Sequence, residues 1–197
     1  MRIVLTGGGT GGHLTPLIAV AKKIKEKLGP EADILYIGSG AEMEKKMMAE
    51  ENIPVKFVQS GKMRRYFSLQ NFIDFFRVPV GFFQSLWILL RYMPDAVFSK
   101  GGYVAIPVVL AAWVYRIPVM IHESDSIPGT ANRFLSKFAR RIAIAYPSAG
   151  EYFPKEKTAL IGNPIRFQVT DGDPVMLRNQ LNFTEGKKTV LVLGGSQ

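Results

Sequence analysis

A doubly wound parallel α/β sheet is the fold predicted for this 197-residue sequence, and three observations carry the prediction. Short apolar runs alternate with stretches of helical periodicity from Ile3 to Ile161. A glycine-rich segment, Gly7 to Pro16 (GGGTGGHLTP), directly follows the first apolar run. Polar clusters recur just after later runs, where a parallel sheet places its ligands beyond the carboxyl ends of its strands. With 47% hydrophobic and 21% charged residues, the chain has the composition of a packed globular protein and not of a disordered one.

Ile3 to Leu5 reads as a buried first strand. Leu14 to Leu28 reads as a helix, because Leu14, Leu17, Ile18, Ala21, Ile24 and Leu28 recur at helical spacing. The glycines between them let the backbone approach a ligand, and the free N–H groups and dipole at the helix start favour an anion such as a phosphate or diphosphate. Thr10 and His13 add side-chain hydrogen-bonding groups, and Pro16 is expected in the first helical turn, where its missing N–H is not needed. Gly7, Gly9 and Gly12 also satisfy the dinucleotide pattern G-x-G-x-x-G. A nicotinamide site, however, expects an acid at the end of the second strand, and that strand, Ile34 to Ile37, ends in Gly38-Ser39-Gly40.

Ala41 to Glu51 reads as a polar helix with Met43, Met47 and Met48 on one side as core filler, and Ile53 to Val58 as a third strand. Ser68 to Tyr92 is the most apolar stretch. Phe72, Phe75 and Phe76, then Phe83, Leu86, Trp87 and Leu90, recur at spacings of three and four, as in two helices or one helix broken near Pro79 and Gly81. A transmembrane span needs about 20 nearly uncharged residues, and Asp74, Arg77, Gln84 and Arg91 interrupt this one. The net charge of +9 admits nucleic acid, anionic membrane or an anionic substrate as partner. Its placement favours the membrane surface over nucleic acid: Lys62, Arg64, Arg65, Arg77 and Arg91 face only Asp74 and interleave with large apolar residues, so Phe72, Phe75, Phe76, Phe83, Trp87, Arg77 and Arg91 form the expected patch.

Asp95 to Ser99 is the fourth strand, and a second glycine turn, Lys100-Gly101-Gly102-Tyr103, leads into an apolar helix from Val104 to Tyr115. Ile117 to Ile121 is the fifth strand and delivers His122-Glu123-Ser124-Asp125 at its carboxyl end. Gly129 to Phe138 reads as the next helix, carrying Asn132 and Arg133, and Arg141 to Ala145 and Thr158 to Ile161 as two more strands. Of the two histidines, His122 has Glu123 beside it and reads as structural. His13 opens a helix beside the phosphate cradle and is the candidate general base. There is no cysteine, which excludes disulfides and thiolate metal sites and suits a reducing compartment, and no acidic cluster looks like a metal site. The first residues are already a strand, leaving no expected signal peptide.

The alternation ends at Gly162-Asn163-Pro164, so residues 1–164 are expected to form one domain. Residues 165–197 read as a linker and the first strand of a second domain whose remainder is missing, since Lys187 to Gln197 repeats the plan of an apolar strand running into glycines.

Taken together, GGTGGHLTP, GGYVAIP, HESDSIPGTANR, GNPIR and GGSQ, in this order, resemble the N-terminal half of the MurG family. The resemblance implies a GT-B architecture of two Rossmann-like domains. It implies an inverting transfer of N-acetylglucosamine from UDP-N-acetylglucosamine, a co-substrate with no further cofactor, to the C4 hydroxyl of undecaprenyl-diphosphate-linked muramoyl-pentapeptide. It implies donor contacts from Thr10, Gly11, Gly12, Asp125, Arg166 and Ser196. Acceptor contacts would come from Gly8, Gly9, Gly101, Gly102, Tyr103, His122, Glu123 and Asn132, with His13 positioning or deprotonating the acceptor hydroxyl. The implied location is peripheral, on the cytoplasmic face of the bacterial plasma membrane. Where the family usually has HEQN, this chain has HESD, so Asp125 accepts hydrogen bonds but does not donate them. The other reading of the same motifs is a membrane-docking subunit that binds a lipid-diphosphate sugar for a separate catalytic chain.

Overall fold

The computed structural model describes residues 1–8, 11–29, 31–61, 69–165, 173–183, 187, 188, 190 and 192, and the side chains of 69–76 lie outside that description. Seven strands, β1 (Arg2–Thr6), β2 (Asp33–Gly38), β3 (Val55–Phe57), β4 (Ala96–Ser99), β5 (Val119–Glu123), β6 (Arg141–Ile144) and β7 (Thr158–Leu160), form one sheet. Every pair is parallel, and the order is β3-β2-β1-β4-β5-β6-β7. The winding reverses between β1 and β4, which pair as Leu5 with Phe98 and Thr6 with Ser99. Connections therefore leave these two strands toward opposite faces, opening a crevice at their carboxyl ends.

The central strands are covered on both faces, so their middle residues are apolar. On one face Ile3, Leu5, Ile34 and Tyr36 pack against Leu14, Leu17 and Ile18 of helix α1 (Gly11–Leu28) and Met48 of α2 (Glu42–Glu50). On the other, Val4, Leu35, Ile37, Val97 and Ile121 pack against Leu89 of α3 (Leu69–Tyr92), Val108, Val109 and Ala112 of α4 (Ala105–Val114) and Leu135 of α5 (Thr130–Leu135). Each of the valine, leucine, isoleucine and methionine side chains among them contributes about 1.5–3 kcal/mol on leaving water.

Several expectations are corrected. α1 begins at Gly11, so Pro16 falls in its second turn and withdraws a hydrogen bond from the Gly12 carbonyl; Gly12 is exposed, and water can satisfy that oxygen. In α2 the inward stripe is Glu44 and Met48, one turn apart, whereas Met43 lies outside. α3 is a single helix through Pro79 and Gly81. Gly81 is there for close approach: a Cβ would stand 1.7 Å from the Gln59 carbonyl oxygen, so only glycine lets the helix lie against the segment after β3. Gln84 fastens the contact by accepting from the Gln59 N–H at 2.7 Å. β5 runs on to Glu123, and α5 stops at Leu135.

Met1–Arg166 forms one compact unit and Phe167–Gln197 another. The second contains a short helix, α6 (Pro174–Gln180), in the stretch that reads only as polar. Asp173 caps it by accepting from the N–H groups of Val175 and Met176 at 2.8 and 3.2 Å. The expected strand in Lys187 to Gln197 falls largely outside the described residues. Among the described residues no helix is long and apolar enough to cross a membrane.

Candidate active site at the switch point

The first turn leaves β1 through Gly7, whose φ of 142° and bare Cα bring it against the second turn. A Cβ there would stand 3.0 Å from Lys100 Cβ and 3.2 Å from the Gly101 carbonyl. A Cβ on Gly102 would likewise meet the Gly8 carbonyl at 3.0 Å and His13 Nε2 at 3.7 Å, so the two glycine turns and the opening of α1 form one packed unit.

The floor of this unit comes from residues that no motif marks. The Tyr36 hydroxyl donates to the Gly7 carbonyl; burial and the charge of Glu44 push this phenol far above its ordinary range, so it remains a donor. Glu44, 1% exposed, accepts from the Ser39 N–H at 2.8 Å, the Ser39 hydroxyl at 3.0 Å and the Gly40 N–H at 2.9 Å, and lies directly under Gly8 and Gly38.

The opposite wall is organised by Glu123, 4% exposed at the end of β5. One of its oxygens accepts from the Asp125 N–H at 3.0 Å; the other accepts from the Gly129 N–H at 3.1 Å and from Asn132 Nδ2 at 3.0 Å. One carboxylate thereby ties the loop after β5 to the first turn of α5. Asn132 Nδ2 also donates to the His122 carbonyl at 3.2 Å, and its Oδ1, buried and without a hydrogen-bond partner among the described residues, abuts Gly101, where a Cβ would lie 2.4 Å away.

Between these walls lies a cleft of about 430 Å³ lined by Gly12, His13, Lys100, Gly102, Glu123, Ser124, Asp125, Gly129, Thr130, Ala131 and Asn132. That is the size range of small-molecule sites. Burial, and then the charge of Lys100, hold the His13 pKa below 6.5 against the opposing pull of Asp125 and Glu123. The imidazole is neutral at pH 7 and carries a lone pair. Lys100, 3% exposed, has its own pKa lowered by burial and partly restored by Glu123 and Asp125.

The structure brings His13, Gly12, Gly102, Glu123, Asp125 and Asn132 together at this cleft. Gly8 and Gly101 lie in the packed turns behind it, Gly11 begins α1, and Tyr103 packs partly buried on the α4 side. His122 is placed differently: fully buried, it leans on Phe98, and its Nε2 donates to the Gly162 carbonyl at 2.9 Å. Burial depresses its pKa as well, so it is a neutral tie between β5 and the end of the unit. Gly9, Thr10, Arg166 and Ser196 lie outside the described residues, as do the side chains of Phe72, Phe75 and Phe76. Phe83 and Trp87 project from α3 at 67% and 58% exposure, Arg77 is exposed, and the Arg91 guanidinium stands 4.6 Å over the Trp87 ring.

Lys100, Glu44 and Tyr36 were not singled out as site residues by sequence. A lysine immediately before a Gly-Gly turn at a strand end is a usable signal for the first. The other two become visible only when β2 and α2 are seen under the first turn.

Residues 3–144 match the sequence model of the glycosyltransferase family 28 N-terminal domain. The UDP-N-acetylglucosamine--N-acetylmuramyl-(pentapeptide) pyrophosphoryl-undecaprenol N-acetylglucosamine transferase of Clostridium perfringens is 45% identical over 195 residues, covering 99% of this chain and 54% of that protein. The enzyme of the same name from Clostridium kluyveri is 42% identical with the same coverage. The chain thus spans about half the length of the curated relatives it matches. MurG of Acinetobacter baumannii superposes with a TM-score of 0.69 at 28% identity, over 86% of this chain and 47% of that one. A UDP-GlcNAc 2-epimerase from Neisseria meningitidis, with a TM-score of 0.62 at 15% identity over 83% of this chain and 46% of that one, shares the fold. The motif resemblance and the match over residues 3–144 agree, and the chain belongs to the family defined by the glycosyltransferase family 28 N-terminal domain.

Proposed function

We propose that this chain is the acceptor-binding, membrane-facing half of an inverting glycosyltransferase. In this reading N-acetylglucosamine passes from UDP-N-acetylglucosamine to the C4 hydroxyl of a lipid-diphosphate-linked muramoyl-pentapeptide. The observation that carries the proposal is the switch-point cleft, in which a neutral imidazole on a helix start faces a hydrogen-bonded carboxylate wall. His13 takes the proton of the acceptor hydroxyl as that oxygen bonds to the anomeric carbon of the donor. The bond from that carbon to the diphosphate breaks on the opposite face, inverting the configuration, and the electron pair leaves with UDP. Backbone N–H groups and the dipole at the start of α1 suit the charge that develops on the diphosphate, and no metal is required by this scheme.

The family resemblance adds Thr10, Gly11, Gly12, Arg166 and Ser196 on the donor side, and Gly8, Gly9, Gly101, Gly102, Tyr103 and Asn132 on the acceptor side. Glu123 holds the loop that carries Asp125, and Asp125 offers acceptor oxygens to sugar hydroxyls. Docking on an anionic membrane surface is supported by the outer side of α3, where Val80, Phe83, Trp87 and Leu90 are exposed beside Arg77 and Arg91.

The test is transfer of labelled N-acetylglucosamine from its UDP ester to a short-chain lipid-linked acceptor, comparing this chain with the product of its gene read to the stop codon. Transfer that needs the longer product supports a two-domain enzyme. Absence of transfer from both overturns the reading and leaves the recruiting subunit as the alternative.

A further inference from the structure

Lys100 has no place in the scheme above, yet it is the least ordinary side chain in the cleft. Its backbone N–H donates to the Thr6 carbonyl at 2.9 Å, locking the end of β4 to β1, so the side chain starts from a fixed point at the switch. It is 3% exposed and lines the cleft beside Gly12, His13, Glu123 and Asp125. Among the described residues it makes no ion pair, and its ammonium donates no hydrogen bond. Glu123, the buried carboxylate of the opposite wall, has its oxygens engaged by the N–H groups of Asp125 and Gly129 and by Asn132.

Holding a lysine this deep with no ion pair or ammonium hydrogen bond among the described residues is expensive, and the charges of Glu123 and Asp125 across the cleft offset the cost only in part, since burial still lowers its pKa. A cation kept there, with its charge directed into a cavity, implies an anion that arrives from outside. The geometry also suggests how many charged centres that anion has. The opening of α1, at Gly12, faces the cleft from the end of β1, and Lys100 faces it from the end of β4. Two positive features on two strands suit a ligand with two linked phosphates. Neutral His13 adds no charge of its own, and the competing carboxylates, Glu123 and Asp125, belong to the opposite wall of the cleft.

We propose that Lys100 is the side-chain cation that binds a diphosphate in this cleft. The chemistry of the ligand follows from the cleft alone; assigning it to the acceptor's prenyl diphosphate or to the donor's nucleotide diphosphate rests on the glycosyltransferase reading.

The experiment is calorimetric titration of the full chain, wild type, Lys100→Met and Lys100→Arg, with geranyl diphosphate, UDP and inorganic diphosphate. Loss of a charge-assisted contact weakens binding by about ten- to a hundredfold in Lys100→Met, and Lys100→Arg stays within about threefold of wild type. A loss confined to geranyl diphosphate identifies the acceptor as the source, and a loss confined to UDP identifies the donor; either supports the binding cation. Equal affinities in wild type and Lys100→Met, or no binding by wild type, overturn it. Should Lys100→Met fail to fold, the wild-type protein still decides. Inorganic diphosphate should protect Lys100 from acylation by an amine reagent, read by peptide mass, and unprotected Lys100 sinks the proposal. Failure here leaves the sugar-transfer assay untouched, and failure of sugar transfer leaves diphosphate binding standing.

Discussion

The cleft and the outer side of α3 each invert the ordinary rule of burial, in opposite senses. In the cleft a lysine and a glutamate are almost wholly buried and a histidine is half-buried, whereas on α3 a phenylalanine and a tryptophan stand in solvent. Scattered exposed apolar residues need no explanation, but buried charges and a grouped aromatic face do. The contrast teaches that one unit carries two surfaces of opposite chemistry, and under the proposed function they serve different partners: the cleft would offer preset polar groups to a small anionic ligand, and α3 would offer area and diffuse positive charge to a surface.

The largest expected effect breaks the cleft alone. If the proposed transfer holds, His13→Ala should lower its turnover by about 10²- to 10⁴-fold, the usual contribution of a general base, while the melting temperature barely moves. Steady-state transfer rates beside a thermal melt check this, and unchanged turnover would remove His13 from the chemistry.

The second breaks the α3 face alone. Each exposed aromatic that enters a bilayer interface contributes on the order of 1.5–3 kcal/mol, so the double variant Phe83→Ser, Trp87→Ser should weaken binding to anionic liposomes by roughly a hundredfold or more. Co-sedimentation measures it, and full retention by the variant would count against the patch. Added salt should weaken wild-type binding without abolishing it, since screening acts on Arg77 and Arg91 and not on the rings.

The third separates the two sides of one helix. Phe83 is two residues from Gly81, yet a methyl on Gly81 collides with the Gln59 carbonyl. Gly81→Ala should cost about 1–3 kcal/mol of overpacking strain, or roughly 2–9 °C in melting temperature, where Phe83→Ser changes it little. Equal melts for the two would show that α3 does not lie against the segment after β3.

These contrasts also mark what was legible beforehand. The alternation of strands and helices, both glycine turns and the cluster after β5 were readable, because apolar period and glycine placement are local properties. The exposure of Phe83 and Trp87 on α3 was readable for a related reason: the aromatics of this stretch exceed what one buried helix side can take up. What escaped were matters of tertiary approach. Pro79 and Gly81 carry the signature of a break, but packing on α4 and the close contact at Gln59 keep the helix whole. Glu44 looks like one more surface charge in a polar helix until Ser39 and Gly40 turn their N–H groups toward it. Lys100 gave a signal in its place before Gly101-Gly102, but its burial is visible only in the fold.

The smallest effect probes the two histidines, which the sequence presents as a pair and the fold separates. Both have pKa values held below 6.5, His13 by burial and Lys100, His122 chiefly by burial. A group whose folded pKa is depressed binds more protons in the unfolded chain, so stability is full above about pH 6.5 and declines as pH falls toward the folded values. The melting temperature should therefore drop between pH 7.5 and 5.5. His122→Gln keeps a donor for the Gly162 carbonyl but cannot take up the proton, and it should remove roughly half of that drop. Lys100→Met acts on the other histidine: without the neighbouring cation the His13 pKa moves up toward its ordinary value, and the drop shrinks from that side. With only two histidines in the chain, their ring carbon-bound protons can be followed individually by NMR. A ring at position 13 that titrates identically with and without Lys100 would show that the cleft's charges do not act on it.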